Sequence, residues 1–377
     1  HNMINKVIVM KNIRKKLFLY LKIFILIVTA AICLVKTEII NCAVSDALDR
    51  CINIIIPSLY AMMIISSLLI KSGITGIISK FTGGVGKIFF GMEKIVFPMF
   101  TFSMFAGYPV GTKMLCLAYE NGLIEKRRAE IFCGLCFGAG PAFIFGCISG
   151  QLYGSSSAGN IILVSVVGAN IILALLVSLF MRKKCNSEKS TSEIKLSADM
   201  ITDCVMSGGR SMADICFMVI AFAVVTEIMN YFGIISAVGV MLSKITHLDV
   251  TESEQLIRAV MDVTAVNGFT YGNYALLPYL SSLVSFGGIC VIFQISAVTS
   301  GKLSLKPLII MRTAAAVISF FICRIITPFM LSDEAVFTSS LNVRTHQAHS
   351  PVPSVMLIIM TFVLFCEYEK IKTLRQE

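Results

Sequence analysis

Two stretches of this chain, residues 131–181 and 263–301, contain no Asp, Glu, Lys or Arg. Each is longer than the ~20 apolar residues that one helical bilayer crossing needs, so each must hold more than one membrane segment. In hydrocarbon every backbone N–H and C=O needs an internal partner, which leaves helices or a closed barrel. The apolar text is rich in Gly, Leu and Ile and lacks the period-2 alternation of barrel strands, so helices are expected. With 56% hydrophobic and 14% charged residues, and a mean hydropathy of +0.84, the chain cannot cover a water-exposed surface over 377 residues. The expected fold class is an all-α polytopic membrane protein.

The net charge of +10 does not point to nucleic acid, because the basic residues flank apolar segments. Lys11, Arg14, Lys15 and Lys16 precede the first, Arg182, Lys183 and Lys184 follow a middle one, and Lys370, Lys372 and Arg375 end the chain. By the positive-inside rule these three regions are cytoplasmic. Most cysteines lie in apolar text, and the single Cys133/Cys136 pair has no second pair at zinc spacing, so it reads as packing. The first apolar segment is too long for a signal peptide and lacks a cleavage site, and His1 and Asn2 ahead of Met3 read as an expression scar.

Hydropathy places membrane segments near 17–35, 51–70, 95–117, 131–148, 161–180, 215–231, 259–279, 280–297, 308–329 and 355–366, with amphipathic stretches near 77–90 and 234–245. The expected organisation is a basic N-terminus (1–16), a first membrane helix and connector (17–50) and a first repeat (51–181). A cytoplasmic linker (182–204), a second repeat (205–331), an outer loop (332–353) and a last membrane helix with a basic tail (354–377) follow.

The two central units share features in the same order. Pro57-Ser58-Leu59 corresponds to Arg210-Ser211-Met212, and Ile78-Ser79-Lys80 to Leu242-Ser243-Lys244. The segment Phe105 through Gly111, with its Gly107-Tyr108-Pro109-Val110-Gly111 break, corresponds to Asp262 through Gly268, and Cys136 through Gly146, with Gly138-Ala139-Gly140-Pro141, to Val284 through Gln294. Because the first unit begins outside and the second inside, they are expected to run in opposite directions, with re-entrant hairpins. Broken helices in matching places of inverted repeats mark the binding site of a secondary transporter.

Pro removes a backbone donor and Gly loosens the helix, so the chain should unwind at these breaks. The exposed half-helix N-termini suit an anion. Lys113, Arg210, Asp214 and Asp262 are the ionisable groups beside them, and a charge at membrane depth is costly without a partner. Gln294, Asn267, Thr264, Ser285 and Ser211 are the neutral candidates for ligand hydrogen bonds. Arg312 and Arg324 read as interfacial anchors. His247, His346 and His349 lie outside the apolar segments, and HExxH and GxSxG do not occur, so enzyme chemistry is not expected.

Gly107-Tyr108-Pro109-Val110-Gly111-Thr112-Lys113, then Gly122-Leu123-Ile124, then Ala139 through Gly146, resembles the YlbJ-type sporulation integral membrane proteins, also called SpoVV, which carry nucleoside-recognition gate domains. Asp262, Thr264, Asn267-Gly268, Ser285 to Ile289 and Gln294 extend the resemblance into the second half. Phe137-Gly138 stands where polar Asn residues are expected, and Asp262 where the family usually has Glu. The resemblance implies a fold similar to concentrative nucleoside transporters and movement of dipicolinate, a planar pyridine dicarboxylate, across the outer forespore membrane. The residues expected to hold the substrate are Gly107, Tyr108, Pro109, Gly111, Lys113, Gly138, Gly140, Pro141, Arg210, Ser211, Asp262, Thr264, Asn267, Ser285, Gly287 and Gln294. No cofactor or metal is expected beyond a coupling Na+ or H+, with Asp262 the candidate for it. The partners are a small anionic substrate and the lipid bilayer, and a homo-oligomer is compatible with the sequence. Two other readings remain open, a nucleoside or nucleobase transporter and a non-transporting structural protein of the spore envelope.

Overall fold

The computed structural model describes residues 19–181, apart from 21 and 25, and residues 196–331. The basic N-terminus, most of the central linker, the outer loop and the last membrane helix expected from the sequence lie outside the described residues. All regular structure among the described residues is helical.

The chain enters through α1 (Lys22–Val35) and α2 (Thr37–Arg50), which passes through a π-helical turn (Cys51–Ile55) into α3 (Ile56–Lys71) without a break. Pro57, at the start of α3, has no N–H to give the preceding turn, so the helix widens there. The Ser58 hydroxyl donates back to the Ile54 and Ile55 carbonyls at 2.6 and 3.1 Å. Residues 36–50, expected as a connector, are therefore the first half of one long span, Thr37–Lys71.

Gly73, at φ +80°, turns the chain into α4 (Ile74–Phe90). Gly83 and Gly86 on α4 face the start of α5 (Val96–Ala106); a Cβ on Gly83 would lie 2.5 Å from that of Lys94. After a break at Gly107 to Pro109 come α6 (Val110–Glu120) and α7 (Lys126–Cys133). A second break leads into α8 (Pro141–Phe143), which continues as a π-helical segment (Ile144–Tyr153), and α9 (Ser156–Met181) closes the first half.

Ser197 caps α10 (Ala198–Tyr231), its hydroxyl accepting from the Met200 N–H, so helix begins well inside the stretch expected as linker. Gly233, at φ +69°, turns the chain into α11 (Ile234–Thr246), and α12 (Val250–Met261) is bent from it by 111°. Two 3₁₀ turns, Val263–Gly268 and Tyr274–Leu276, follow. The segment 259–279, expected as a crossing, is thus not a continuous helix. Then come α13 (Leu277–Phe286), α14 (Gly288–Val298) and α15 (Lys306–Leu331).

Among the described residues five spans are long and apolar enough to cross a membrane, or six if the bent α11/α12 pair counts as one. Their outward faces are apolar: Phe329 is 76% exposed, Ile310 70% and Phe217 67%. A surface of that kind is stable against lipid and not against water. Inside, α10 packs along α2 and α3, and α15 along α9 and α13. Buried hydroxyls bond to carbonyls one turn back, as Ser67 and Ser165 do, or between helices, as the 2.6 Å Ser281–Ser319 contact joins α13 to α15.

Candidate functional site

The two breaks of the first half cross each other backbone to backbone. A Cβ on Gly140 would lie 3.0 Å from the Phe105 carbonyl and 3.2 Å from the Gly107 nitrogen, and one on Gly138 would lie 3.1 Å from the Ser103 carbonyl. Gly107 itself sits at φ +82°, which glycine adopts without strain. The Tyr108–Pro109 peptide is cis.

Beside this crossing lies a mostly apolar cavity with about 450 Å³ of free space, including the part that opens outward. Gly107, Tyr108, Gly140 and Phe143 form the first-half wall, and Val263 and Thr264 come from the break after α12. Gln294 on α14, Ile215 on α10, and Ile54 and Ser58 on the α2–α3 span complete it. Tyr108 stacks on Phe137 at 4.8 Å between ring centroids.

A second, polar hollow adjoins it, with about 1100 Å³ of space open to the outside. Asp46, Asp49 and Arg50 of α2, Glu227 of α10, and Arg258 and Asp262 of α12 and its end bring its charges. Thr264 lines both spaces. Asp262 is buried, and both its oxygens are engaged by Thr264: Oδ1 accepts from the Thr264 N–H at 3.1 Å and Oδ2 from its hydroxyl at 2.7 Å. That carboxylate caps the 3₁₀ turn, and Gln255 holds the turn from outside by donating to the Ala265 carbonyl at 2.7 Å. Arg258 donates to Glu227 at 2.8 Å. Among the described residues no group of three His, Cys, Asp or Glu is arranged to hold a metal.

Of the residues singled out in the sequence, Gly107, Tyr108, Gly140, Thr264 and Gln294 line the apolar cavity, and Asp262, Thr264 and Asn267 line the polar hollow. Pro109, Gly111, Gly138 and Pro141 build the crossing behind the wall. Lys113 is buried elsewhere, its Nζ donating to the Ser207 carbonyl at 3.3 Å, and Ser211 bonds to the same carbonyl. Arg210 and Asp214 are exposed on α10 and line neither space. Ser285 and Gly287 lie where the second half meets the first: a Cβ on Gly287 would run into the Phe137 ring.

Arg312 corrects the sequence reading. Expected as an interfacial anchor, it is fully buried. Its Nη1 donates to Asn170 Oδ1 at 2.9 Å and to the carbonyls of Phe137 at 3.3 Å and Ser285 at 3.5 Å, and its guanidinium lies 4.9 Å from the Phe137 ring centre. Phe137 and Ser285 belong to breaks in different halves, so one cation ties both together. Arg50, Glu227, Arg258 and Asn170 also went unnoticed in the sequence, although a charge inside or beside apolar text is the signal that finds the arginines.

The long apolar helices and the interrupted segments between them define an α-helical membrane protein of the multi-pass kind. No protein-family model, no curated protein and no solved structure matches the chain.

Proposed function

We propose that this protein is a secondary transporter that moves a small carboxylated aromatic, of which dipicolinate is the example, by alternating access around the cavity at the helix breaks. The observation that carries the reading is that the break at Gly107 and Gly140 and the break at Asp262 to Thr264, far apart in sequence, face one cavity among membrane-length helices. Tyr108 and Phe143 suit a planar ring, and the adjoining polar hollow suits an aqueous approach.

An internal repeat supports the same reading. Spans of 35 and 34 residues, Thr37–Lys71 and Ala198–Tyr231, open the two halves. Left-handed glycines, Gly73 and Gly233, end both, and short helices of 17 and 13 residues follow. Left-handed residues, Gly91 and His247, then precede α5 and α12, of 11 and 12 residues, which end at the two breaks. Helices of 26 residues, α9 and α15, close the halves. Each closing helix packs on a short helix of the other half, α9 on α13 and α15 on α7. That exchange is what a two-fold relation between the halves produces. In this reading the halves are inverted, the termini are cytoplasmic, the membrane is the outer forespore membrane, and Asp262 is the candidate for coupling to Na+ or H+.

The test is flux. Protein reconstituted into vesicles should take up radiolabelled dipicolinate saturably, well above protein-free vesicles and without competition from uridine. Uptake of uridine instead would assign nucleoside transport, and no flux of either under Na+ or pH gradients would leave the structural role.

A further inference from the structure

Among the described residues no cation lines the apolar cavity, which leaves open what receives the charge of an anionic substrate. Two guanidinium groups face the adjoining hollow, and they differ in how far they are committed. Arg258 is hydrogen-bonded to Glu227 at 2.8 Å. Arg50 reaches Asp262 only at 3.9 Å, beyond hydrogen-bond distance, and its buried Nε has no partner among the described residues. Asp262, meanwhile, spends both oxygens on Thr264. Arg50 is therefore held near a carboxylate by charge alone, with its planar donor fork unfilled.

Position adds to this. Arg50, Ile54 and Ser58 recur every four residues along the continuous α2–α3 span, and Arg50 lines the hollow while Ile54 and Ser58 line the cavity. One helical turn, ~5–6 Å along the axis, thus separates the backbone positions of the residue that lines the hollow and the first that lines the cavity. Thr264, on the wall common to both spaces, is held by Asp262, the group that Arg50 would release on taking another carboxylate.

We infer that Arg50 is the anion-receiving residue of this protein: it takes a carboxylate of an aromatic acid whose ring lies in the apolar cavity, in competition with Asp262. This assignment rests on the transport reading and names its substrate-binding cation, in place of Lys113 and Arg210, which lie elsewhere. Competition gives it a signature that a structural ion pair lacks, because the two partners should then act in opposite directions.

The experiment is equilibrium binding of dipicolinate to the purified full chain. Arg50→Gln should weaken binding by about ten-fold or more through loss of a charge-assisted bidentate contact. Arg50→Lys should recover part of that loss, and Asp262→Asn, whose Oδ1 can still accept from the Thr264 N–H while its Nδ2 donates to the Thr264 hydroxyl, should strengthen binding. Unchanged affinity in Arg50→Gln overturns the assignment alone, as does equal weakening by Arg50→Gln and Asp262→Asn. Wild-type protein that binds neither dipicolinate nor benzoate overturns the transport reading and the assignment with it. If Arg50→Gln yields no folded protein, phenylglyoxal on the wild type decides. Arg50 should be modified faster than Arg258 and be protected by dipicolinate, and an unprotected Arg50 overturns the assignment.

Discussion

Gly111→Ala should leave little folded protein, although it adds a single methyl group to a short apolar helix. The Cβ would be driven into the Cys136 carbonyl oxygen and would come within 2.5 Å of Ser103 Cβ. Neither neighbour is the loose end of a flexible side chain. Cys136 is backbone in the second break, and Ser103 is fixed by its own hydrogen bond to the Phe100 carbonyl at 2.7 Å. The clash can be relieved only by moving one broken segment off the other. Overpacking of a close-packed interior costs about 1–3 kcal/mol and more where backbone must move, so a loss of about 3 kcal/mol or more is expected. Gly209→Ala is the matched control, because nothing lies within 4 Å of its Cβ position in the middle of α10. It should be neutral or stabilise by up to about 1 kcal/mol. The chain has no Trp, but eleven free cysteines lie among the described residues, eight of them buried. A thiol-reactive dye followed during heating in detergent therefore reports unfolding directly. Equal melting of the two variants would mean that the segments do not cross at Gly111.

The long helices were legible because their signal is composition over many residues: the charge-free text of α9, α13 and α14 cannot be anything but membrane or core. The breaks were legible too, since Gly107, Pro109, Gly140 and Gly287 are each local departures from helix that sequence displays directly. What composition hides is continuity and partnership. Residues 36–50 carry Glu38, Asp46, Asp49 and Arg50 and so read as a connector, yet they continue one helix whose charged face lines a polar hollow. Residues 259–279 are apolar enough to read as a crossing, yet Asp262 caps a 3₁₀ turn and Asn273 starts another, and local side-chain bonds won over hydropathy. Lys113 and Arg210 stood nearest the motifs along the chain yet line neither space, whereas Arg50, outside every motif, lines the hollow beside the cavity. Charge near a motif is a poor guide when the site is assembled from segments that the fold brings together.

Arg312 carries the other large effect, and its size depends on the replacement. A buried guanidinium without a carboxylate partner gives up its hydration for hydrogen bonds from a single nitrogen, while Nε and Nη2 have no partner among the described residues. The desolvation cost of such a charge is several kcal/mol, comparable with what its bonds return. Arg312→Met, of similar length and no charge, removes that cost but takes a donor from Asn170 Oδ1 and the Ser285 carbonyl, so stability should change by no more than about 2 kcal/mol. The Phe137 carbonyl would keep the Asn170 amide as donor at 3.0 Å. Arg312→Glu places a carboxylate against the oxygens of Phe137, Ser285 and Asn170, all acceptors, and a loss of more than about 4 kcal/mol is expected. On the transport reading Arg312→Met should nevertheless abolish flux, because Phe137 and Ser285 lose the cation that bonds to both breaks. If Arg312→Met melts as low as Arg312→Glu, the attraction between the cation and the carbonyl oxygens at the two breaks outweighs the desolvation of the charge, and Arg312 holds the fold together as well as the site.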